Sequence, residues 1–192
     1  MTGAEKPQNG GKKMDRRDLE ALYSTHAPRL LSLCLRYCGN VADAEDVLHD
    51  GFIKIIRNID TFTDRGAGSF EGWMKRIMVN TALNYIRDNS KSRKLFEPEP
   101  AFERLVIVEE EDGYFESLAE RIDPKVVMDL ILELPHGYRT VFNLYVFESY
   151  SHKEIASALN CSENTSKSQL SKARHWLRTR VSEFMIKQEA AK

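Results

Sequence analysis

In the stretch "DAEDVLHDGFIKIIRNIDTF", Asp43, Asp46 and Asp50 recur at the three- and four-residue steps that place side chains on one helix face. Carboxylate oxygens grouped in this way are the donors a hard cation such as Mg²⁺ selects, so metal-assisted catalysis is the first chemistry to weigh. A working site would need further convergent ligands. The only other dense acids, Glu109 to Asp112, fall in a segment that reads as a linker. The row runs on instead into Lys54 and Arg57, opposite an apolar stripe of Leu48, Phe52, Ile55, Ile56 and Ile59. A charged row opposite a buried one describes a solvated surface, and acids early in a helix also suit its dipole. No catalytic residue, metal site or cofactor is assigned.

A second constellation lies in "NCSENTSKSQLSKARHWLR", Asn160 to Arg178. At about 100° per residue, Asn164, Lys167, Ser168, Ser171, Lys172, His175 and Arg178 form one broad polar face. Leu170, Ala173 and Leu177, continued by Val181 and Phe184, form the opposite stripe. An ordinary amphipathic surface helix would show the same two faces, so what precedes it decides. Ser151 is followed three residues later by Glu154, the capping box that opens a short helix through Leu159. Asn160 tolerates the left-handed backbone of a sharp turn, and Ser162 supplies a fresh N-cap. Ile155, Leu159 and Cys161 stand where a core is needed, with the small Ala156 where two helices would cross. A short helix, a tight turn and a longer helix with an exposed polar start describe a helix-turn-helix. Short polar side chains allow close approach to a major groove, while lysines meet bases or phosphates. The plain alternative is a helical hairpin without DNA.

The third constellation is Phe70 to Lys94. Trp73 and Ile77 are followed by Asn80, Asn84 and Arg87, and then by Lys91, Arg93 and Lys94. Asparagines can read base edges, aromatic rings can stack on unpaired bases, and a basic end can hold phosphates.

The elements that must position these residues are helical throughout. Asp18 to Tyr37 carries a leucine-rich pattern, with Pro28 marking a break or a new first turn and Gly39-Asn40 the end. Helices are expected from Asp43 to about Asn58 and from Phe70 to about Asn89, separated by the glycine-containing loop "DTFTDRGAGS". Asp123 caps a helix with Pro124 at its first position; Pro135 stops it, and His136 to Phe147 forms the next, with Val141, Leu144 and Tyr145 on one stripe. No alternating strand pattern and no internal repeat is found. The fold class is all-α, in two small helical domains joined by an acidic linker. The expected organisation is a disordered tail over 1–14, a first domain over 15–94, a linker over 95–123 and a helix-turn-helix domain over 124–187.

Charge is segregated along the 192 residues. The net charge is −1, yet Leu95 to Asp123 holds ten acids against two bases, and Ser151 to Arg180 holds six Lys or Arg against two acids. A neutral total therefore conceals a basic reading face, which favours a protein that meets DNA with help over a lone high-affinity binder. No apolar run approaches the roughly 20 residues of a membrane span, and the polar N-terminus lacks a secretory apolar segment, so a cytoplasmic protein is expected. Cys34 and Cys38 are one helical turn apart, an awkward disulfide geometry. With Cys161 they read as small, partly buried side chains.

Taken in order, "DAEDVLHDGFIKIIRNIDTF", "SFEGWMKRIMVNTALNYIRD" and "LPHGYRTVFNLYVFESYSHKEIASALNCSENTSKSQLSKARHWLR" resemble the bacterial RNA polymerase sigma factors, in their extracytoplasmic-function branch. The resemblance covers about Leu19 to Lys94 and Val126 to Val181. It implies a non-enzymatic initiation factor that binds core RNA polymerase (β′ coiled coil and β flap), recognises −10 and −35 promoter DNA and helps melt it. An anti-sigma factor is a further partner that this family commonly has. By position, Asp43, Asp46, Asp50, Lys54 and Arg57 would meet the polymerase. Asn80, Asn84 and Arg87 would read the −10 element, with Phe62 trapping a flipped-out base. Asn164, Lys167, Ser168, Ser171 and Lys172 would read the −35 element. One departure is Ser166, where the family usually carries valine; looser packing is expected there. The competing reading is a helix-turn-helix activator or repressor with a helical sensor domain, which would bind palindromic half-sites as a dimer.

Overall fold

The computed structural model describes residues 15–88 and 122–190. The expected N-terminal tail, the basic run Lys91 to Lys94 and all but the end of the acidic linker lie outside the described residues. All regular elements among the described residues are helices, and they fall into two compact units that divide at the end of the third helix.

In the first unit, α1 (Arg16–Cys38) opens with a capping box in which Asp15 accepts from the Asp18 backbone and Asp18 returns the bond. The expected break at Pro28 does not occur, and α1 runs through it. A mid-helix proline removes one backbone bond and costs about 3 kcal/mol. Burial of Leu30, Leu33, Cys34 and Tyr37 beyond it, at about 1.5–3 kcal/mol for each large apolar side chain, outweighs that local cost. Gly39, at φ 82°, then ends the helix, its N–H donating to the Leu35 carbonyl at 2.8 Å.

Helix α2 (Val41–Asn58) begins earlier than the sequence suggests because Asn40 is its cap, accepting from the Asp43 N–H at 2.9 Å. Its buried stripe is Ala44, Val47, Leu48, Phe52 and Ile55. Ile56, expected in that stripe, is exposed, as is Ile53. A turn of 3₁₀ helix (Ile59–Thr61) and an ordered loop lead to α3 (Ser69–Asp88). At Gly51 of α2, an added Cβ would overlap Sδ and Cε, the flexible end of the buried Met78 of α3.

The second unit contains α4 (Pro124–Glu133), α5 (His136–Phe142), α6 (His152–Leu159) and α7 (Glu163–Ala190). Asp123 caps α4 as expected, accepting from the Lys125 N–H at 2.8 Å. The buried Arg139 of α5 donates to the Leu132 carbonyl at 2.7 Å, satisfying the end of α4. Helix α5 widens into a π-helical segment (Asn143–Phe147), a departure from the uniform helix expected. Val141, Phe142, Leu144, Ile155, Ala173, Leu177 and Val181 form the core of this unit.

Candidate nucleic-acid interface

The helix-turn-helix is built from the signals its sequence carries. Ser151 Oγ accepts from the Glu154 N–H, and Glu154 Oε2 accepts from the Ser151 N–H at 2.8 Å, closing the capping box of α6. Asn160 takes φ 52° and ψ 49°, the left-handed turn that ends α6. Ser162 Oγ then accepts from the Thr165 N–H at 3.0 Å and starts α7. Ile155, Ala156 and Leu159 of α6 are buried, as are Leu170, Ala173 and Leu177 of α7, so the apolar stripes face inward.

That packing leaves the opposite face of α7 outward. Asn164 and Lys167 are exposed, and Ser168, Ser171 and Lys172 are half-buried beside them. His175 is exposed on the same face one turn beyond Ser171. The arrangement offers short hydrogen-bonding groups flanked by cations, the chemistry that base edges and phosphates require.

Ser166 is fully buried, and the looser packing expected around it is replaced by a specific bond. Its Oγ lies 2.9 Å from His152 Nδ1 at the start of α6. The His152 ring stacks on Tyr145, with centroids 4.9 Å apart, and the Arg174 guanidinium sits 5.6 Å from the Tyr145 centroid. Burial pushes the His152 imidazole below its ordinary pKa; Lys167 and Arg174 lower it further, while Glu163 opposes them. Sequence spacing could not have found this pair, because residues fourteen apart meet only through the fold.

In the first unit, α3 presents Asn80 and Arg87 to solvent, with Asn84 half-buried between them. Arg76 is exposed one turn before Asn80 and belongs to the same row; continuing the four-residue step backwards would have included it. Trp73 is half-buried, and its ring lies 5.4 Å from Phe62 and 5.8 Å from Phe70. Phe62, expected to face a flipped base, is only 7% exposed and is held edge-on against Phe70 at 5.1 Å. The described conformation therefore gives Phe62 an anchoring place under the loop and leaves Trp73 as the accessible ring. The loop itself is braced: Asp64 Oδ1 accepts from Ser69 Oγ at 2.7 Å and from the Gly66 N–H at 3.0 Å.

The charged row on α2 divides. Asp46, Asp50 and Arg57 are exposed. Lys54 instead donates to Thr81 Oγ1 of α3 at 3.2 Å. Asp43 accepts from Asn40 Nδ2 at 2.7 Å, and that bond, followed by one from Tyr85, holds its carboxyl below the usual range. Among the described residues, no group of three His, Cys, Asp or Glu side chains is placed to hold a metal ion. Cys34 is buried, and its thiol is pushed up to about 12, by burial first and Cys38 second, which leaves it a poor nucleophile. Among the described residues, no helix is long and apolar enough to cross a membrane.

Two helical units, one with a helix-turn-helix and the other with a polar helix face beside the half-buried Trp73, have the geometry of a nucleic-acid reader. The family models agree: Sigma-70 region 2 matches residues 22–92 and Sigma-70 region 4 matches residues 125–177. The chain is 28% identical to the ECF RNA polymerase sigma-E factor of Haemophilus influenzae, with 94% of each chain covered. It is also 28% identical to the ECF RNA polymerase sigma factor SigW of Bacillus subtilis, over 88% of this chain and 92% of that one. Among solved structures, the sigma factor RpoE in complex with the anti-sigma factor NepR from Bartonella quintana is similar at 20% identity, covering 87% of this chain and 98% of that one, with a TM-score of 0.46. The chain belongs to the sigma-70 family, in its extracytoplasmic-function branch. It is a promoter-recognition factor for RNA polymerase, not an enzyme and not a free-standing helix-turn-helix regulator.

Proposed function

We propose that α7 reads the −35 element from the major groove through Asn164, Lys167, Ser168, Ser171 and Lys172. The observation that carries this reading is the outward small-polar and cationic face along the start of α7, from exposed Asn164 and Lys167 to half-buried Ser168, Ser171 and Lys172, opposite a buried stripe. Helix α3 takes the −10 element, with Asn80, Asn84 and Arg87 along its outer row and Trp73 as the ring available to an unstacked base. Melting is then driven by binding, since each base stacked on an aromatic side chain gains about 1–3 kcal/mol. Phe62 supports that surface from beneath. The polymerase-docking row on α2 is carried by Asp46, Asp50 and Arg57, while Asp43 and Lys54 fasten α2 to its neighbours. The site of action is the cytoplasm, where polymerase and promoter DNA meet, and an anti-sigma factor is a further partner of the kind this family commonly has.

The test is transcription by core RNA polymerase supplied with the full chain on genomic fragments. Discrete start sites sharing two elements at fixed spacing are expected, and none with core alone. Start sites that share no upstream element, or duplex binding to palindromes without polymerase, would contradict it.

A further inference from the structure

We propose that His152 and Ser166 form a positioning pair that sets the pose of α7 for reading DNA, an inference that rests on α7 being the −35 reader. Ser166 stands on the core side of α7, one residue before Lys167 and two before Ser168, so any shift at Ser166 is transmitted directly to the reading face. Its hydroxyl is fully buried, and the 2.9 Å bond to His152 Nδ1 joins the two helices of the helix-turn-helix. A buried hydroxyl left without a partner is costly, so the bond selects one relative placement of α6 and α7 where a purely apolar contact would tolerate sliding.

The other side of the imidazole is fixed as well. Tyr145, from the π-helical segment, stacks on it with an interplanar angle of 27°. Arg174, two turns after Lys167 on α7, lies over the Tyr145 ring. The π-helical segment, α6 and α7 are thus joined in a closed path from Arg174 through Tyr145 and His152 to Ser166, returning to the helix it left. The path fixes the axial position and rotation of α7 at two points, Ser166 and Arg174. Rotation matters here because the reading residues are short: Asn164, Ser168 and Ser171 reach base edges only if the helix backbone is correctly placed.

The measurement is −35 selectivity of holoenzyme made from core polymerase and the full chain. The probe is a duplex selected from a randomised library by the wild-type holoenzyme, compared with its single-base variants. Ser166→Ala removes only the oxygen and leaves His152 without its partner. Selectivity should fall by about three- to tenfold, the factor an ordinary hydrogen bond represents. The double variant His152→Phe, Ser166→Ala keeps the stacked ring but puts an apolar contact in place of the bond, so it should regain stability while staying as unselective as Ser166→Ala. Lys167→Ala is the control for the underlying reading. If Lys167→Ala changes selectivity while Ser166→Ala lowers only thermal stability, the pair is structural and the inference is overturned. If the double variant, which also lacks the bond, regains wild-type selectivity, the hydrogen bond does not set the pose, and the inference is again overturned. If Lys167→Ala also leaves selectivity unchanged, it is the assignment of α7 as the reader that fails.

Discussion

Lys54 of α2 donates to Thr81 Oγ1 of α3 at 3.2 Å, so a residue in a charged surface row is turned inward to tie two helices together. Its neighbours Asp46 and Asp50 remain exposed. The row is therefore divided between a bonded position and exposed ones, and substitutions separate them. Lys54→Met should lower the stability of the first unit by about 0.5–1.5 kcal/mol, the net value of one such bond. Asp50→Lys should change stability by under about 0.5 kcal/mol and weaken polymerase binding instead. Urea unfolding and a core-polymerase binding assay, run on both variants, check the split. Equal loss of stability in the two would show that Asp50 is also structural.

The turn of the helix-turn-helix depends on Asn160 holding φ 52°. Asn160→Gly should be tolerated. Asn160→Val should cost about 1–2 kcal/mol, because a β-branched side chain crowds the following carbonyl in the left-handed region. A Val variant as stable as the parent in thermal unfolding would mean that the turn relaxes into another conformation.

Lys167 and Lys172 are expected to differ in what they contact. Lys167 is exposed near the start of α7, whereas Lys172 is half-buried on the flank of the face. Lys167→Ala should cost about 1–3 kcal/mol and relax preference at one base, as lost base-edge readout does. Lys172→Ala should weaken all duplexes alike and reduce the salt slope by about one, as a lost phosphate contact does. Titrations of holoenzyme on −35 duplexes at several salt concentrations separate the two.

Acid should destabilise both units before ordinary carboxylates titrate. Burial is the leading cause that lowers the imidazoles of His26, His136 and His152; at His26 Glu71 opposes it and Arg29 adds to it, and Arg139 adds to it at His136. A folded-state pKa below the unfolded value of 6.5 means that the fold prefers the neutral ring. The contribution is fully present above 6.5 and is lost as pH falls through the folded values. The urea midpoint should therefore begin to drop as pH falls through 6.5, above most carboxylate titrations. His152→Phe should flatten part of the drop. A midpoint that rises on acidification would show that the fold prefers the charged rings.

Much of the helix-turn-helix was legible because its signals are local. The Ser151–Glu154 box, Asn160 and Ser162 each act within four residues, and so does the Asp123-Pro124 start. What was not legible depends on tertiary packing. Pro28 reads as a break, yet the buried stripe beyond it keeps α1 continuous. Ile56 fits an apolar stripe by period and is nonetheless exposed. Asp43, Lys54, Phe62 and Ser166 all lie at positions where a helical wheel or a loop suggests solvent or loose packing, and all four meet partners. Three of those partners, Tyr85, Thr81 and His152, lie more than ten residues away.

If α7 reads the upstream element and α3 the downstream one, as proposed, substitutions in the two helices should relax different bases. The direct measurement is sequencing of promoters selected from a library randomised across both elements. It uses holoenzymes carrying the wild-type chain, Lys167→Ala or Asn80→Ala. Lys167→Ala should relax bases only in the −35 element and Asn80→Ala only in the −10 element, with the spacing between them unchanged. Loss of preference in the same element for both variants, or in neither, would contradict it.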